Sequence, residues 1–256
     1  MIDALSQTKV AVVTGAGSGL GRALAVGLTG QGMTVVGFGR RLAELEVTQT
    51  LCADSRFMPM AVNVEDVDAV DQAFAHIETA IGPVTLLINN AAVYPRRDFL
   101  EETAASFMRT VTTNLGGTVA CSRAALRGMV ARGQGRILNV ATFADIAPVP
   151  TASAYSVSKG AARILTRAMV ADLGDRFPGI VINDWMPGML QTRMGISDGL
   201  PPEVAAAWGV RLALMTDPSL NGSVFEKDCE LLPGRGLKRK IKDLLLLRKR
   251  AKPRRL

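Results

Sequence analysis

The sequence predicts an α/β fold in which helices cover both faces of one parallel sheet. Short apolar runs rich in Val, Ile and Leu recur along the chain, and segments of helical period separate them. This strict alternation is typical of a doubly wound sheet. No low-complexity linker interrupts residues 8–227, and 256 residues suit one large domain. We therefore expect a single domain built on a parallel sheet of about seven strands.

The predicted elements follow one another along the chain. The strands are the apolar runs at residues 10–14, 33–38, 58–62, 84–89, 136–140 and 180–185, with a weaker seventh at 224–225. The helical segments include residues 20–30, 64–81 and 154–173, which lie between strands. Strands of such a sheet are buried on both faces, which explains why these runs are apolar without strict alternation.

Composition excludes several classes of protein. Apolar residues make up 48 % of the chain and charged residues 21 %, which rules out a collagenous, coiled-coil or wholly disordered protein. Cys52, Cys121 and Cys229 lie far apart and His76 is the only histidine, so we expect reduced cysteines, no metal site and no histidine-dependent hydrolase. The chain has no apolar run of about 20 residues and no secretory leader pattern, which predicts a cytoplasmic protein.

The predicted first strand runs directly into a glycine-rich turn, and a helix follows. Glycines allow positive φ and a close approach to a pyrophosphate, while the free N–H groups and the positive end of the helix dipole meet its negative charge. Strand, loop and helix in this order predict dinucleotide binding, although such a loop alone could be only a tight turn. The candidate residues are Gly15, Gly17, Ser18, Gly19, Leu20 and Gly21.

Further motifs occur in a fixed order after this loop. They are Asn89-Asn90-Ala91-Ala92, Asn114, Tyr155 with Lys159, and Pro187-Gly188 with Thr192. With the spacing Gly-x-x-x-Gly-x-Gly of the loop, the chain resembles the short-chain dehydrogenase/reductase family over nearly its whole length. The resemblance implies a Rossmann fold, a nicotinamide cofactor and hydride transfer between an alcohol and a carbonyl.

Tyr155 and Lys159 are the candidate acid–base pair. They lie four residues apart, so on a helix they share one face. A free phenol has a pKa near 10, and we expect the neighbouring ammonium to lower it toward the working range. The resemblance assigns proton transfer to Tyr155 and gives Lys159 a second role in binding the nicotinamide ribose.

Two other residues complete the predicted catalytic set. Thr142 stands thirteen residues before Tyr155, where the family has a serine that holds the substrate oxygen. Threonine keeps the hydroxyl, but its extra methyl stiffens χ1 and takes up room, so slower turnover or an altered substrate is expected. The resemblance implies that Asn114 kinks its helix and helps to hold a water that leads from the lysine to solvent. Because a Gly-Gly pair follows one residue later, Asn114 could equally be a helix end cap.

Cofactor choice depends on the end of the second strand. Gly39 stands where an NAD-dependent enzyme usually has an acid, and Arg40 and Arg41 follow. A guanidinium suits the 2′-phosphate of NADP, so we favour NADP (NADPH) over NAD, although the two arginines could simply begin a solvated helix. Ser18 occupies the position where many NADP-dependent members have a second basic residue. The resemblance adds cofactor contacts from Asn63, Val64, Asn90, Ala91, Pro187, Gly188 and Thr192.

The carboxyl-terminal third divides into a lid and a tail. Residues 1–233 form the predicted catalytic domain, with a short, mostly apolar substrate lid near 189–208 that favours hydrophobic or neutral substrates. Residues 234–256 carry a net charge of +10 against −3 for the rest. This basic, leucine-rich tail could pack on a neighbouring subunit, dock on an anionic membrane surface, or bind an acidic carrier or nucleic acid, although the acidic body argues against nucleic acid. We expect residues 251–256 to be disordered.

These observations predict an NADP-dependent oxidoreductase, a ketoreductase acting on a small-molecule carbonyl or alcohol. The family also implies a homodimer or homotetramer. The alternative is a non-catalytic nucleotide-binding regulatory or scaffold protein whose active site has drifted and whose tail binds a membrane or a partner. Thr142 and Asn63 favour that alternative, while the intact set of Tyr155, Lys159 and Asn114 favours the enzyme.

Overall fold

A computed structural model describes residues 9–232 and 252–256 of the chain. Within them, one sheet of eight strands has the order β3-β2-β1-β4-β5-β6-β7-β8. The strands are β1 (Val10–Thr14), β2 (Thr34–Gly39), β3 (Phe57–Ala61), β4 (Val84–Asn89), β5 (Gln134–Val140), β6 (Gly179–Met186), β7 (Val224–Glu226) and β8 (Cys229–Leu231). All neighbouring pairs are parallel except β7 with β8. The predicted α/β class and parallel sheet are confirmed, and the eighth strand is an addition because three residues give no readable pattern.

Helices fill the connections between the strands. They are α1 (Gly19–Gly30), α2 (Leu42–Thr50), α3 (Val67–Ala80), α4 (Ala104–Val111), α5 (Gly117–Arg132), α6 (Ser153–Leu173) and α7 (Pro202–Leu214). The predicted helix at residues 64–81 begins later than expected, because the Asp66 side chain accepts a hydrogen bond from the amide of Ala69 and caps the helix there.

Both faces of the sheet are buried in apolar cores. On one face Trp185 packs with Leu24 and Leu28 of α1, and on the other Phe38 packs edge-on against Phe74 of α3. The continuous apolar strands follow from this double covering, since each alternate residue meets a different helical layer.

The strand order reverses between β1 and β4, which lie side by side although β2 and β3 come between them in the chain. In a doubly wound sheet, ligands bind in the crevice at the carboxyl ends of strands where the order reverses. The loops that follow β1, β2, β4, β5 and β6 all reach this edge, so motifs far apart in the sequence meet there.

The extreme carboxyl terminus is ordered, so the prediction of disorder is wrong for residues 252–256. This segment runs antiparallel to β8, with hydrogen bonds from the Glu230 amide to the Arg254 carbonyl oxygen (3.0 Å) and from the Leu256 amide to the Asp228 carbonyl oxygen (2.9 Å). It covers the open edge of the sheet, and Leu256 packs against the core. Residues 233–251, with most of the predicted basic tail, lie outside the described part of the chain. No described helix is long and apolar enough to cross a membrane.

Candidate active site

A cavity of about 820 Å³ opens at the carboxyl edge of the sheet, above the point where the strand order reverses. All the predicted cofactor-binding residues line it, as do Thr142, Tyr155 and Lys159. Asn114 is the one predicted site residue that does not line the cavity. The tertiary structure therefore brings together residues that the sequence separates by up to about 180 positions.

The glycine-rich loop forms a tight cradle at one end of this cavity. Gly15 and Gly19 have φ values of 67° and 51°, a region that favours glycine. A Cβ atom at Gly21 would collide with the Gly15 carbonyl oxygen and would lie 2.6 Å from the Asn90 side-chain nitrogen. The side-chain oxygen of Thr14 holds the backbone directly after β4, the neighbour of β1, by accepting hydrogen bonds from the amides of Asn90 and Ala91, both at 2.9 Å. The exposed N–H groups at the start of α1 and the close backbone approach fit a pyrophosphate.

Two arginines line the cavity where β2 ends. Arg41 precedes the first residue of α2 and lies 3.7 Å from the Glu44 carboxylate, which also pairs with Arg22 at 3.3 Å. Arg41 is therefore the N-cap residue of α2, and Arg40 lies before the helix, so the alternative that both arginines begin a helix fits Arg41 alone. Arg40 forms no hydrogen bond or ion pair with any residue in the described ranges, so its guanidinium remains available to a phosphate at this end.

Tyr155 and Lys159 project from one face of α6 into the other end of the cavity. The Lys159 ammonium donates a 2.8 Å hydrogen bond to the Val140 carbonyl oxygen. The Tyr155 ring stacks on Tyr94, with centroids 4.4 Å apart and an interplanar angle of 26°. These contacts hold both side chains at the end of β5, next to Thr142.

The electrostatics of this pair differ from the expectation. Burial raises the pKa of Tyr155, and the nearby Thr142 hydroxyl offsets only part of that rise. Burial also lowers the pKa of Lys159 to about 8, against the attraction of Asp184 and Asp145. The predicted net lowering of the phenol pKa is therefore wrong, because loss of hydration raises the pKa and the charges of Tyr94 and Asp145 raise it further.

Asn114 lies in a π-helical turn, Thr112–Gly116, through which α4 continues into α5. The interruption of the regular helix is present, but the helix does not end there, so the end-cap alternative is wrong. The buried side chain of Asn114 accepts from the Val93 amide (2.7 Å) and donates to the Val93 carbonyl oxygen (3.0 Å) and the Ser158 hydroxyl (2.9 Å). It thus ties the loop after β4 to α6, one residue before Lys159.

A chain of buried polar side chains crosses the sheet beneath the site. Asn89 donates to Asn139 (2.8 Å), Asn139 donates to the Thr166 hydroxyl (2.8 Å), and that hydroxyl donates to the Asp184 carboxylate (2.6 Å). Burial raises the pKa of Asp184 to about 7. Asp184 and Thr166 are not among the predicted site residues; the available signal for Asp184 was a carboxylate inside a buried strand, next to Asn183.

Tyr94 and Arg96 are two further cavity residues that sequence reasoning missed. The Arg96 guanidinium lies 5.4 Å from the centre of the Tyr94 ring and donates to the Gly195 carbonyl oxygen at 3.0 Å. This contact joins the loop after β4 to the predicted lid. Both residues follow the carboxyl end of a strand closely, which is the signal that could have identified them.

Comparison with known families agrees with the fold and the arrangement of the cavity. The family model described as short chain dehydrogenase matches residues 9–200. The chain belongs to this family. It is therefore an oxidoreductase that acts on CH–OH and C=O groups, and the alternative of a non-catalytic protein is not supported.

Individual proteins give a closer view of the relationship. L-xylulose reductase of Mesocricetus auratus is 35 % identical over 80 % of this chain and 81 % of its own length. Carbonyl reductase [NADPH] 2 of Sus scrofa is 35 % identical over 76 % of this chain and 77 % of its own length. A crystal structure of a short chain dehydrogenase from Bacillus anthracis superposes with a TM-score of 0.80, covering 86 % of this chain and 95 % of that one at 22 % identity, which supports the fold.

Proposed function

We propose that this protein is an NADPH-dependent ketoreductase that converts a small-molecule ketone into a secondary alcohol. The observation that carries the proposal is that Thr142, Tyr155 and the buried Lys159 line the same cavity as the glycine cradle, with the Lys159 ammonium bonded to the Val140 carbonyl oxygen at 2.8 Å. Two hydroxyls that line one end of a cavity can both reach one substrate oxygen. The nicotinamide, when bound, supplies the hydride.

The protonation state of Tyr155 favours reduction. Because burial raises its pKa, the phenol keeps its proton at neutral pH. A protonated phenol is a general acid, and the oxygen of a ketone gains negative charge as hydride arrives at its carbon. Tyr155 then donates its proton to that oxygen. Oxidation of an alcohol would require the phenolate, which this environment disfavours.

Thr142 and Lys159 assist the same proton transfer from Tyr155 to the substrate oxygen. Thr142 donates a hydrogen bond to the substrate oxygen. This bond stabilises the transition state more than the bound ketone, because negative charge develops on that oxygen during the reaction. The Lys159 ammonium stabilises the phenolate that remains after proton transfer, and its hydrogen bond to Val140 keeps it in place. Asn114 supports this region by fixing α6 at Ser158.

The preference for NADPH rests on Arg40. Its guanidinium lines the cavity at the end of β2, where an acid would otherwise accept hydrogen bonds from the ribose. Charge-assisted, bidentate contacts are the usual way for arginine to hold a phosphate. The relative named carbonyl reductase [NADPH] 2 is consistent with this choice.

The first experiment is a parallel titration with NADPH and NADH, followed by a panel of ketones read as loss of reduced-cofactor absorbance. L-xylulose and apolar cyclic ketones belong in the panel, since L-xylulose reductase is a relative of this chain and apolar ketones suit the predicted apolar lid. We expect NADPH to bind at least about tenfold more tightly, a difference of about 1.4 kcal/mol. The Arg40→Ala variant should lose this preference, while Arg56→Ala, at an arginine outside the cavity, should keep it. Equal binding of both nucleotides by the wild type contradicts the cofactor assignment.

The acid role is tested with Tyr155→Phe. We expect kcat to fall by roughly 10²–10⁴-fold with NADPH affinity unchanged, because only the proton donor is lost. Undiminished turnover would contradict the proposed mechanism.

Assembly as a homodimer or homotetramer is part of the proposal. Val157 and Ile164 are exposed apolar residues seven positions apart on α6, so they lie on one face of that helix. Light scattering of the purified protein measures the assembly. The cytoplasmic location and the association of the tail with a membrane or an acidic carrier stay predictions.

A further inference from the structure

Arg163 is a largely buried charged residue that the proposed mechanism does not use. It lies on α6, one turn beyond Lys159 and two turns beyond Tyr155, so it shares their face of the helix. Its side chain retains only 14 % of its exposure, and the Asp145 side chain that it pairs with retains 7 %. Moving two charged side chains out of water costs hydration free energy. Because of that cost, a specific role is expected for this ion pair.

The guanidinium of Arg163 joins three segments around the reacting groups. One nitrogen, Nη2, donates to the Thr142 carbonyl oxygen (2.7 Å) and to the Asp145 carboxylate (2.8 Å), and lies 3.2 Å from the Met186 sulfur. Thr142 and Asp145 belong to the loop after β5. Met186 ends β6 and directly precedes Pro187, at the start of the loop predicted to contact the nicotinamide. Arg163 therefore links the catalytic helix to both loops.

The loop that carries Thr142 has few other contacts of this kind. The Thr142 hydroxyl accepts a hydrogen bond from the Ala144 amide at 3.2 Å, which bends the loop locally but does not fix its distance from α6. Phe143 and Ile146 in the same loop are exposed, so apolar packing of these side chains does not fix it either. The start of the loop is also held by the Ala141 amide, which donates to the Trp185 carbonyl oxygen at 2.8 Å, and Ala144 is buried. Beyond Val140, the side-chain hydrogen bonds from α6 to this loop in the described residues are those of Arg163 to Thr142 and Asp145.

We propose that Arg163 is a positioning residue that, through Asp145, holds the Thr142 hydroxyl against the same substrate oxygen as the Tyr155 phenol. Arg163 touches neither substrate nor cofactor. The inference rests on the roles proposed above for Thr142 and Tyr155. A displacement of about 1 Å in a positioned group can reduce a rate by about 10²-fold, which sets the scale of the effect.

The test uses the full-length enzyme and four variants. Arg163→Gln should lower kcat by about 10- to 100-fold and leave NADPH affinity within about twofold, because the glycine cradle and Arg40 lie at the other end of the cavity. Arg163→Lys should recover most of the activity, since an ammonium can still bridge the Thr142 carbonyl and the carboxylate. Asp145→Asn should lower kcat to a similar extent. The double variant Arg163→Gln/Asp145→Asn should be no more than about twofold worse than either single one, since both act through one contact.

The matched control is Arg132→Gln. Arg132 also pairs with a carboxylate, Glu78 at 2.9 Å, and also donates to a backbone carbonyl, that of Val84 at 2.8 Å, but it lies outside the cavity. We expect this control to lower the thermal stability while kcat, measured well below the unfolding temperature, stays within twofold of the wild type.

Each outcome decides the matter. Wild-type kcat in Arg163→Gln, additive effects of the two substitutions, or an equal loss of kcat in Arg132→Gln overturns the inference. If Arg163→Gln does not fold, Arg163→Lys and Asp145→Asn supply the same comparison. A wild-type enzyme that reduces no ketone, or a fully active Tyr155→Phe variant, overturns the proposed function itself and the role of Arg163 with it.

Discussion

The two ends of the cleft are built in different ways. The cofactor half, residues 10–64, presents backbone N–H groups and a glycine loop, and Arg40 and Arg41 stand at its surface. The catalytic half, residues 84–192, buries Lys159 and Asp184 and largely buries the Arg163–Asp145 pair beside them. Backbone geometry can be encoded locally, whereas a buried cluster of charges has to be assembled from several strands and helices.

This difference also has an energetic side. The strands of the cofactor half are apolar and their burial stabilises the fold, at roughly 25 cal/mol for each Å² removed from water. The charges of the catalytic half oppose folding unless they are paired, and the shifted pKa values of Lys159 and Asp184 record that cost. Stability is thus lower than it could be at the point where the chemistry takes place.

Of the changes that compare the two halves, filling the glycine cradle is expected to have the largest effect. Gly21→Ala places a Cβ atom against the Gly15 carbonyl oxygen, so we expect NADPH affinity to fall by at least about 10³-fold, or about 4 kcal/mol. Isothermal titration measures it. The matched control is Gly30→Ala at the end of the same helix, where a Cβ atom meets nothing within 4 Å; it should bind normally and be more stable by up to about 1 kcal/mol. Normal binding by Gly21→Ala would show that the loop is not the cofactor cradle.

In the catalytic half, the corresponding change is Thr142→Ala. Removing the donor to the substrate oxygen should lower kcat by about 10²–10³-fold, or about 3–4 kcal/mol, with little change in NADPH affinity. Thr142→Ser keeps the hydroxyl and removes the methyl, so its kcat should equal or exceed that of the wild type. Steady-state kinetics of both variants against one ketone give the comparison. An alanine variant as active as the serine variant would remove Thr142 from the mechanism.

The Asp184→Asn variant measures how much the buried carboxylate lowers the free energy of unfolding. The pKa of Asp184 is about 7 in the folded protein against an ordinary value of 3.8, so the folded state binds the extra proton between these values. The free energy of unfolding therefore falls as pH rises from about 4 to 7. Relative to the wild type, the variant should gain on the order of 2–3 kcal/mol across this window. Urea denaturation at several pH values gives both curves, and parallel curves would contradict the assignment.

The smallest effect is expected at the carboxyl terminus, far from either half. Arg254 binds Glu230 through Nε at 2.9 Å, and the Glu230 side chain is only 8 % exposed. Arg254→Met should lower the unfolding free energy by about 1–2 kcal/mol and leave kcat unchanged. The control Arg255→Met breaks a pair with Asp228 in which the arginine is 73 % exposed, and it should change stability by less than about 0.5 kcal/mol. Equal effects of the two variants would show that burial of Glu230 does not matter.

Local patterns in the sequence were enough for much of this description. The seven predicted strands are present, because a buried parallel strand needs a continuous apolar run and little else. The residues of the glycine loop, the Tyr155–Lys159 pair and Arg40 line one cavity as predicted. Tyr94 and Asp184 were missed because each resembles an ordinary loop or strand residue until its neighbours are known.

By itself, the sequence determined the fold class, the cradle and the spacing of the catalytic helix, since these depend on periodicity and on residues close in the chain. Only the tertiary structure decided that burial raises the pKa of Tyr155, that Arg163 reaches Thr142, and that residues 252–256 cover β8. Hydration and ion pairing depend on what surrounds a group in space. For that reason no local pattern could have supplied these properties, which follow from the packing of α6, β5 and β6 around one edge of the sheet.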